Sequence, residues 1–166
     1  MKQERRRFTK EEYLERQLKT RKSMNALNVD VLIVYDPANM FWLTGYDGWS
    51  FYVHQCVILP LYGEPFWYGR GQDANGALRT CFMKPPNIIG YPDHYVQSTE
   101  RHPMDYLASQ LTDRGLAKGV IGVEMDNYWF TAAAFMALTT HLPNAKLTDA
   151  TALVNWQRAV KSEAEL

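Results

Sequence analysis

The stretch Val29-Asp30-Val31-Leu32-Ile33-Val34-Tyr35 decides the fold class of this 166-residue chain. It is short, β-branched and almost wholly apolar, which is typical of a strand covered on both faces. A helix over about residues 10–27 is predicted before it, because Thr9 and Glu12 have the spacing of a capping box. We expect the buried stripe of this helix to comprise Leu14, Leu18, Met24 and Leu27. The side chains expected in solvent are Glu15, Arg16, Lys19 and Lys22. A helix that leads into a buried strand indicates an α/β layer architecture.

Helix and strand signals alternate irregularly along the rest of the chain. Strands are predicted at residues 50–59, 65–68, 87–91, 119–125 and 146–149, with the first two forming an antiparallel hairpin. Helices are predicted at residues 38–44, 72–82, 103–114 and 128–141. The pattern therefore predicts an α/β fold with a mixed, partly antiparallel sheet and helices on both faces.

The last residues read as the beginning of another helix, since Ser162 and Glu165 again have capping-box spacing. We therefore expect one domain over residues 1–152. Residues 153–166 are expected to be a linker and the start of a further domain.

Composition excludes several classes of protein. Lysines and arginines number 18 and aspartates and glutamates 18, so no net field attracts a nucleic acid. Cys56 and Cys81 are the only cysteines and lie far apart, which indicates reduced thiols rather than a disulfide framework. No run of ~18 apolar residues occurs, so we expect no membrane span and a cytoplasmic protein.

One loop, residues 90–103, concentrates groups that could bind a metal or transfer protons. It carries Asp93, His94, Glu100 and His102, and imidazole and carboxylate are standard ligands of zinc or manganese. Their spacing matches no rigid metal-binding arrangement. The alternative is a solvated loop in which Asp93 and Glu100 cap turns and the next helix. Asp93 and His94 are kept as a candidate polar site, without a metal.

Complete catalytic motifs are absent from the sequence. It has no phosphate-binding glycine loop with its lysine, no His-Glu-x-x-His helix and no Gly-x-Ser-x-Gly elbow. A general-base pair of His54 and His94 is conceivable, but nothing in the sequence places them together. No catalytic residue and no metal ligand is therefore assigned to this chain.

The aromatic stretch NMFWLTGYDGWSFYVHQ, residues 39–55, leaves two interpretations open. Period-2 alternation along the predicted strand places Phe51 and Gln55 on one face and Tyr52 with His54 on the other, so both faces mix polar and apolar groups. Trp49 follows a glycine and is expected at a strand edge or loop tip, where an aromatic ring can cover a ligand. The stretch is either core or a surface that binds something.

Several motifs resemble the N-terminal domain of the creatinase, prolidase and aminopeptidase P family. The strand at residues 30–35 and the first helix, with Glu12-Tyr13 and Arg16, contribute to this resemblance. The other matching motifs are Asp36-Pro37-Ala38-Asn39-Met40, Leu43-Thr44-Gly45-Tyr46, Ile121-Gly122-Val123-Glu124 and Arg158-Ala159-Val160-Lys161-Ser162. Within the family, residues 45–55, 90–103 and 155–162 look most like the ectoine hydrolase branch.

The resemblance implies a ribonuclease H-like fold for this domain and a second, pita-bread domain downstream that holds the catalytic groups. It implies no cofactor in this domain and a divalent metal ion, Mn, Co or Zn, as a candidate in the missing one. It also implies a homodimer in which one loop reaches the neighbouring subunit's active site. In creatinase that loop reads Ser-Phe-Gly-Arg, which matches Ser50-Phe51-Tyr52-Val53. Because the arginine is replaced by Val53, which cannot pair with a carboxylate, creatine is a poor candidate for the substrate.

The resemblance thus predicts a substrate lid made of Trp49, Phe51, Tyr52 and His54. The expected function is that of a non-catalytic, dimerising domain whose parent hydrolyses a C–N bond in ectoine or a related small compound. One alternative is the same domain of an Xaa-Pro dipeptidase or aminopeptidase. The others are a stand-alone module for ligand binding or dimerisation, and a small enzyme that uses Asp93, His94 and His102. The expected partners are a second copy, the chain's own catalytic domain and a small substrate, with no nucleic acid and no membrane.

Overall fold

The computed structural model of the chain describes residues 7–48 and 50–166. Its helices are α1 (Lys10–Ala26), α2 (Pro37–Thr44), α3 (Ala74–Thr80), α4 (Pro103–Asp113), α5 (Ala132–His141) and α6 (Thr151–Ala159). Its strands are β1 (Val31–Val34), β2 (Cys56–Pro60), β3 (Phe66–Arg70), β4 (Ile88–Tyr91), β5 (Gly119–Val123) and β6 (Ala145–Asp149). Short 3₁₀ turns lie at Pro85–Asn87, Asp93–Tyr95 and Glu163–Glu165.

The six strands form one sheet in the order β4-β3-β2-β1-β5-β6. Strand β2 runs antiparallel to both of its neighbours, whereas the pairs β1–β5, β5–β6 and β3–β4 are parallel. The predicted mixed, partly antiparallel sheet and its hairpin are therefore confirmed. The carboxyl ends of the five codirectional strands meet at one edge of the sheet, where the chain also enters β2.

Both faces of the sheet are covered by helices. From β1, Val31 and Ile33 point into a core shared with α4 and α5, whose buried residues include Leu107 and Leu138. Leu32 and Val34 point into a second core, shared with α1, α2, α3 and α6. This alternation between two apolar layers confirms that β1 is buried on both sides.

The buried stripe expected for α1 is wrong. Leu14, Leu18 and Leu27 are 51%, 54% and 63% exposed, and of the expected stripe only Met24 is buried. The buried residues of the helix are instead Tyr13, Arg16, Gln17, Thr20 and Met24.

The reason lies at the end of α2, against which α1 packs. The last carbonyls of a helix lack intrahelical partners and need donors from elsewhere. Arg16 Nη1 donates to the carbonyl of Trp42 at 3.1 Å, and Gln17 Nε2 donates to the carbonyl of Leu43 at 2.9 Å. Polar side chains therefore face inward on α1 because they satisfy buried backbone acceptors.

Three further elements differ in their bounds from the predictions. The strand predicted from residue 50 begins only at Cys56, since Ser50 Oγ accepts the Val53 N–H in a local turn that competes with strand pairing. The helix predicted from residue 128 begins at Ala132. Its N-cap is Thr131, whose hydroxyl accepts from the Ala134 N–H at 3.2 Å. Predicted helix 72–82 is shortened to α3.

A buried carboxylate joins the ends of two central strands. Glu124 directly follows β5 and is 1% exposed. Its Oε2 accepts from the backbone N–H groups of Tyr35 and Asp36, both at 2.7 Å, and its Oε1 accepts from Asn39 Nδ2 at 2.6 Å. The end of β1 and the first turn of α2 are thus fixed to the end of β5.

The same asparagine extends this network to α6. Asn39 Oδ1 accepts from Arg158 Nη1 at 2.7 Å, and Asn39 Nδ2 also donates to Asn155 Oδ1 at 2.8 Å. The Asn39 amide therefore joins α2 to α6 directly, and Glu124 extends the network to the ends of β1 and β5. Helix α6 is also joined to α1, where Gln157 Nε2 donates to Ser23 Oγ at 2.7 Å.

The segment after α6 folds back onto α1 and α2. The capping box predicted at Ser162 and Glu165 is present. Glu165 Oε1 accepts from Trp42 Nε1 at 2.9 Å and lies 3.4 Å from Arg16 Nη2, and Ser162 Oγ donates to Glu12 Oε1 at 2.7 Å.

Replacing Asn39 with alanine should destabilise the fold. Asn39→Ala leaves the buried Glu124 and the Arg158 guanidinium without their shared partner, which we expect to cost about 2–3 kcal/mol of unfolding free energy. Urea unfolding measures this, with Asn25→Ala on the exposed side of α1 as the control. Equal stability of the two variants would contradict the assigned role of Asn39.

Glu124 should also make stability depend on pH. Burial raises the pKa of Glu124 to about 7, although the N–H groups of Asp36, Asn39 and Tyr35 oppose the shift. Because the folded state favours the protonated carboxyl, this contribution is fully present below the ordinary pKa of 4.5 and is lost as pH rises through 7.

The variant Glu124→Gln cannot titrate at this position. We expect the unfolding free energy of the wild type, relative to this variant, to fall by roughly 3 kcal/mol as pH rises from 4.5 to 8. Urea unfolding across this range tests the prediction. Glu15→Gln, at an exposed glutamate of α1, should run parallel to the wild type; parallel curves for Glu124→Gln as well would rule the prediction out.

Candidate functional site

The carboxyl edge of the sheet carries the residues that the sequence singled out. The loop of residues 50–55 enters β2 at this edge, and the Asp93–Tyr95 turn follows β4 there. In open α/β sheets the carboxyl ends of the strands are where ligands usually bind. The loop 50–55 and residues 92–103 are therefore the candidate site.

Hydrogen bonds to its backbone fix the 50–55 loop at both ends. Trp129 Nε1 donates to the carbonyl of Ser50 at 3.1 Å, from the segment between β5 and α5. The Tyr91 hydroxyl, at the end of β4, donates to the carbonyl of His54 at 3.0 Å. The loop is thus held between two neighbouring segments of the same edge.

The aromatic stretch divides into a core part and a surface part. Trp42 and Tyr46 are 4% and 3% exposed, and the Tyr46 hydroxyl donates to Gln55 Oε1 at 2.8 Å. Phe51 and Tyr52, in contrast, are 82% and 59% exposed. The predicted strand alternation fails here because residues 50–55 are a loop. A third predicted lid residue, Trp49, lies outside the described residues.

His54 lies against a second histidine that sequence reasoning did not pair with it. The ring centroids of His54 and His102 are 4.7 Å apart, whereas His94 lies beside Tyr95. Burial lowers the pKa of His54 to about 4; the neighbouring His102 lowers it further and a hydrogen bond to the Trp129 backbone opposes the shift. His54 is therefore neutral at physiological pH.

His102 itself caps α4. Its Nδ1 accepts from the Met104 N–H at 3.1 Å, and Asp105 Oδ2 accepts from the His102 N–H at 2.7 Å. The cap expected from Asp93 or Glu100 is therefore wrong for this helix. Proline after His102 was the available signal, because proline favours the first helical turn and so marks the preceding residue as N-cap.

Asp93 is engaged in an ion pair at the end of β3. Arg70 Nε and Nη2 donate to its two carboxylate oxygens at 2.8 and 3.1 Å, and this guanidinium lowers the pKa of Asp93. His94 is exposed next to it. Within residues 7–48 and 50–166, no three His, Cys, Asp or Glu side chains are grouped so that they could hold a metal ion.

A depression of about 150 Å³ lies between the 50–55 loop and residues 95–103. The side chains most able to contact a ligand there are Tyr52, His54, Tyr95, Ser98, Arg101 and His102. Aromatic faces and hydrogen-bond donors converge in it, so the depression can hold a small polar molecule.

Comparison with known proteins explains why these elements occur together. A sequence profile of the creatinase/prolidase N-terminal domain matches residues 16–160. This chain belongs to that family. The motif residues Asn39, Glu124 and Arg158, which suggested the family, are the ones that build the buried network.

The creatinase-type N-terminal domain has close relatives among hydrolases. It is 61% identical to ectoine hydrolase of Halomonas elongata over 160 residues, which make up 96% of this chain and 40% of that protein. It is 41% identical to an uncharacterized hydrolase/peptidase of Sinorhizobium fredii, over 96% of this chain and 41% of that protein. The chain thus spans about two fifths of the length of these relatives.

Solved structures of the family share the fold. A proline dipeptidase from Streptococcus pneumoniae superimposes with a TM-score of 0.71 at 19% identity, covering 87% of this chain and 98% of that chain. No described helix of the present domain is both long and apolar enough to cross a membrane.

The division of the aromatic stretch can be tested by truncating one ring from each part. Tyr46→Ala should cost about 3–4 kcal/mol of unfolding free energy, since it removes a buried ring and leaves Gln55 without its donor. Tyr52→Ala should change stability by less than about 0.5 kcal/mol, because the ring is largely exposed. Urea unfolding of both variants decides the matter; a large loss for Tyr52→Ala would place that ring in the core.

Proposed function

We propose that this chain is the non-catalytic N-terminal domain of a longer hydrolase that cleaves a C–N bond in ectoine or a related small compound. The supporting observation is the 61% identity to ectoine hydrolase across 96% of the chain, together with its coverage of only 40% of that relative. In this proposal the parent is a cytoplasmic homodimer.

The catalytic groups belong, in this proposal, to a pita-bread domain that follows the present one. The proposal assigns residues 1–152 to the N-terminal domain and residues 153–166 to a linker into the next domain, although Leu153 and Val154 still pack in the core of the present one. A divalent ion, Mn, Co or Zn, is assigned to that second domain. Helix α6, held by Asn39 and Ser23, would orient whatever follows it.

The role proposed for this domain is to close the active site of the neighbouring subunit. Phe51 and Tyr52 supply exposed rings on a loop whose backbone is fixed at both ends. Such rings can cover a compact substrate and exclude water from it. His54 and Trp49 complete the proposed lid. Asp93 and His94 remain a candidate polar site, of which Asp93 is paired with Arg70.

Truncation of the lid in the full-length parent tests this function. Phe51→Ala and Tyr52→Ala should each lower kcat/KM for ectoine by about tenfold or more, the loss expected for about 1.4 kcal/mol of transition-state stabilisation. The melting temperature should stay unchanged. Tyr62→Ala is the matched control, because Tyr62 is 83% exposed in the β2–β3 turn at the opposite edge of the sheet.

Three results would contradict the proposal. One is a full-length parent that is inert on ectoine and on Xaa-Pro dipeptides, with and without Mn²⁺. Another is an equal loss of activity in Tyr62→Ala. The last is a stop codon directly after Leu166, which would favour a stand-alone binding or dimerisation module.

An Xaa-Pro dipeptidase is the second candidate for the parent, since the domain shares its fold with a proline dipeptidase. A prolyl ring is also compact and apolar enough to lie under the lid. Comparing kcat/KM for ectoine with that for prolyl dipeptides separates the two substrates.

A further inference from the structure

We propose that the depression between the 50–55 loop and residues 95–103 is a binding site for the carboxylate group of a small molecule. This site lies within the domain, and its assignment does not depend on the activity proposed for the parent.

The charge of the residues that line the depression favours an anion. Among the described residues that line the depression, Arg101 is the one formally charged side chain, and none of them is an aspartate or glutamate. Two other depressions on the described surface differ in this respect. One is lined by Glu64, and the other by Glu12, Glu15 and Glu165. Of the three depressions, this is therefore the one in which the described lining would not repel an anion with a carboxylate.

Hydrogen bonds within the lining leave donors for a ligand. His102 Nδ1 already accepts from the Met104 N–H, so the proton of the neutral ring resides on Nε2, which is a donor. Burial lowers the pKa of His102, which keeps the ring neutral at physiological pH. Ser98 Oγ accepts from the N–H groups of Glu100 and Arg101 at 3.2 and 3.3 Å, so its hydroxyl proton is left to donate.

Arg101 is exposed and forms only a weak ion pair with Glu100. Arg101 Nη2 lies 3.6 Å from Glu100 Oε2, and the two side chains are 44% and 78% exposed. A pair so exposed is worth little in water, and a guanidinium can accept a carboxylate through two parallel hydrogen bonds. An incoming carboxylate can therefore compete with Glu100.

Size and shape favour a compact organic anion. The volume of about 150 Å³ is roughly ten times what a single water molecule requires, so it accommodates a molecule of several heavy atoms. The rings of Tyr52 and Tyr95 form part of the wall and can cover its apolar portion. Because the site is open to solvent, we expect dissociation constants on the order of millimolar.

Titration of the 166-residue chain with acetate at neutral pH and constant ionic strength is the test. Backbone amide shifts of residues 96–102, followed by two-dimensional NMR, should move with acetate in a saturable manner. Methylammonium, the matched small cation, should produce no saturable shift. Inorganic phosphate should bind more weakly than acetate; tighter binding of phosphate would overturn the assignment to a carboxylate.

Variants separate this site from non-specific anion binding. Arg101→Gln should weaken acetate binding about tenfold, the loss expected for one charge-assisted hydrogen-bonded pair, and Arg101→Lys should weaken it less. Arg79→Gln removes another exposed arginine, in α3, and should leave the affinity unchanged. Shifts that never saturate below about 100 mM, or equal affinities for Arg101→Gln and Arg79→Gln, would overturn the proposal.

Discussion

The hydrogen bonds accepted by the Glu124 side chain are the interaction on which the carboxyl edge of the sheet depends. A strand buried on both faces must still satisfy the backbone N–H groups just beyond its last ladder pair, where no water reaches them. Glu124 supplies the acceptor for Tyr35 and Asp36. With its backbone so fixed, Asp36 can cap α2 through its own carboxylate, which accepts from the N–H groups of Ala38 and Asn39.

The course of the chain after α2 follows from that start. The helix ends at Gly45, which adopts the left-handed conformation with φ 78° that side chains other than glycine rarely accept. Tyr46 then enters the core, and the chain reaches the surface at residues 50–55 before turning into β2. The exposed loop is thus placed by a buried glutamate that is remote from it in sequence.

Helix α1 shows a second way in which polar groups organise this domain. The guanidinium of Arg16 lies 4.1 Å from the ring centroid of Phe8, besides its contacts with Glu12, Glu165 and the carbonyl of Trp42. Apolar packing alone would allow α1 to slide or rotate over the sheet. A directional network does not, so α1, α2 and the last residues keep one relative placement.

The sequence predicted what depends on neighbouring residues and missed what depends on distant ones. The apolar run of β1, and α2 between Asp36 and Gly45, could be predicted because burial and turn chemistry are local. The stripe of α1 was wrong since its buried polar face serves carbonyls of α2, 26 residues away. The contact of His54 with His102 follows from the sheet order, which a single sequence does not reveal. The family motifs could be recognised in the sequence. The hydrogen bond from Asn39 to Glu124 could not be predicted from them, because the two residues are 85 positions apart.

The 50–55 loop is where this distinction bears on function. Both of its anchors use backbone carbonyls, those of Ser50 and His54, and so make no use of the side chains at positions 51 and 52. Tyr52 is 59% exposed, and a ring so exposed contributes little to folding. The proposed lid would use the exposed rings of Phe51 and Tyr52 to contact a substrate. The neighbouring depression, which Tyr52 also lines, places hydrogen-bond donors and the Arg101 guanidinium beside this loop.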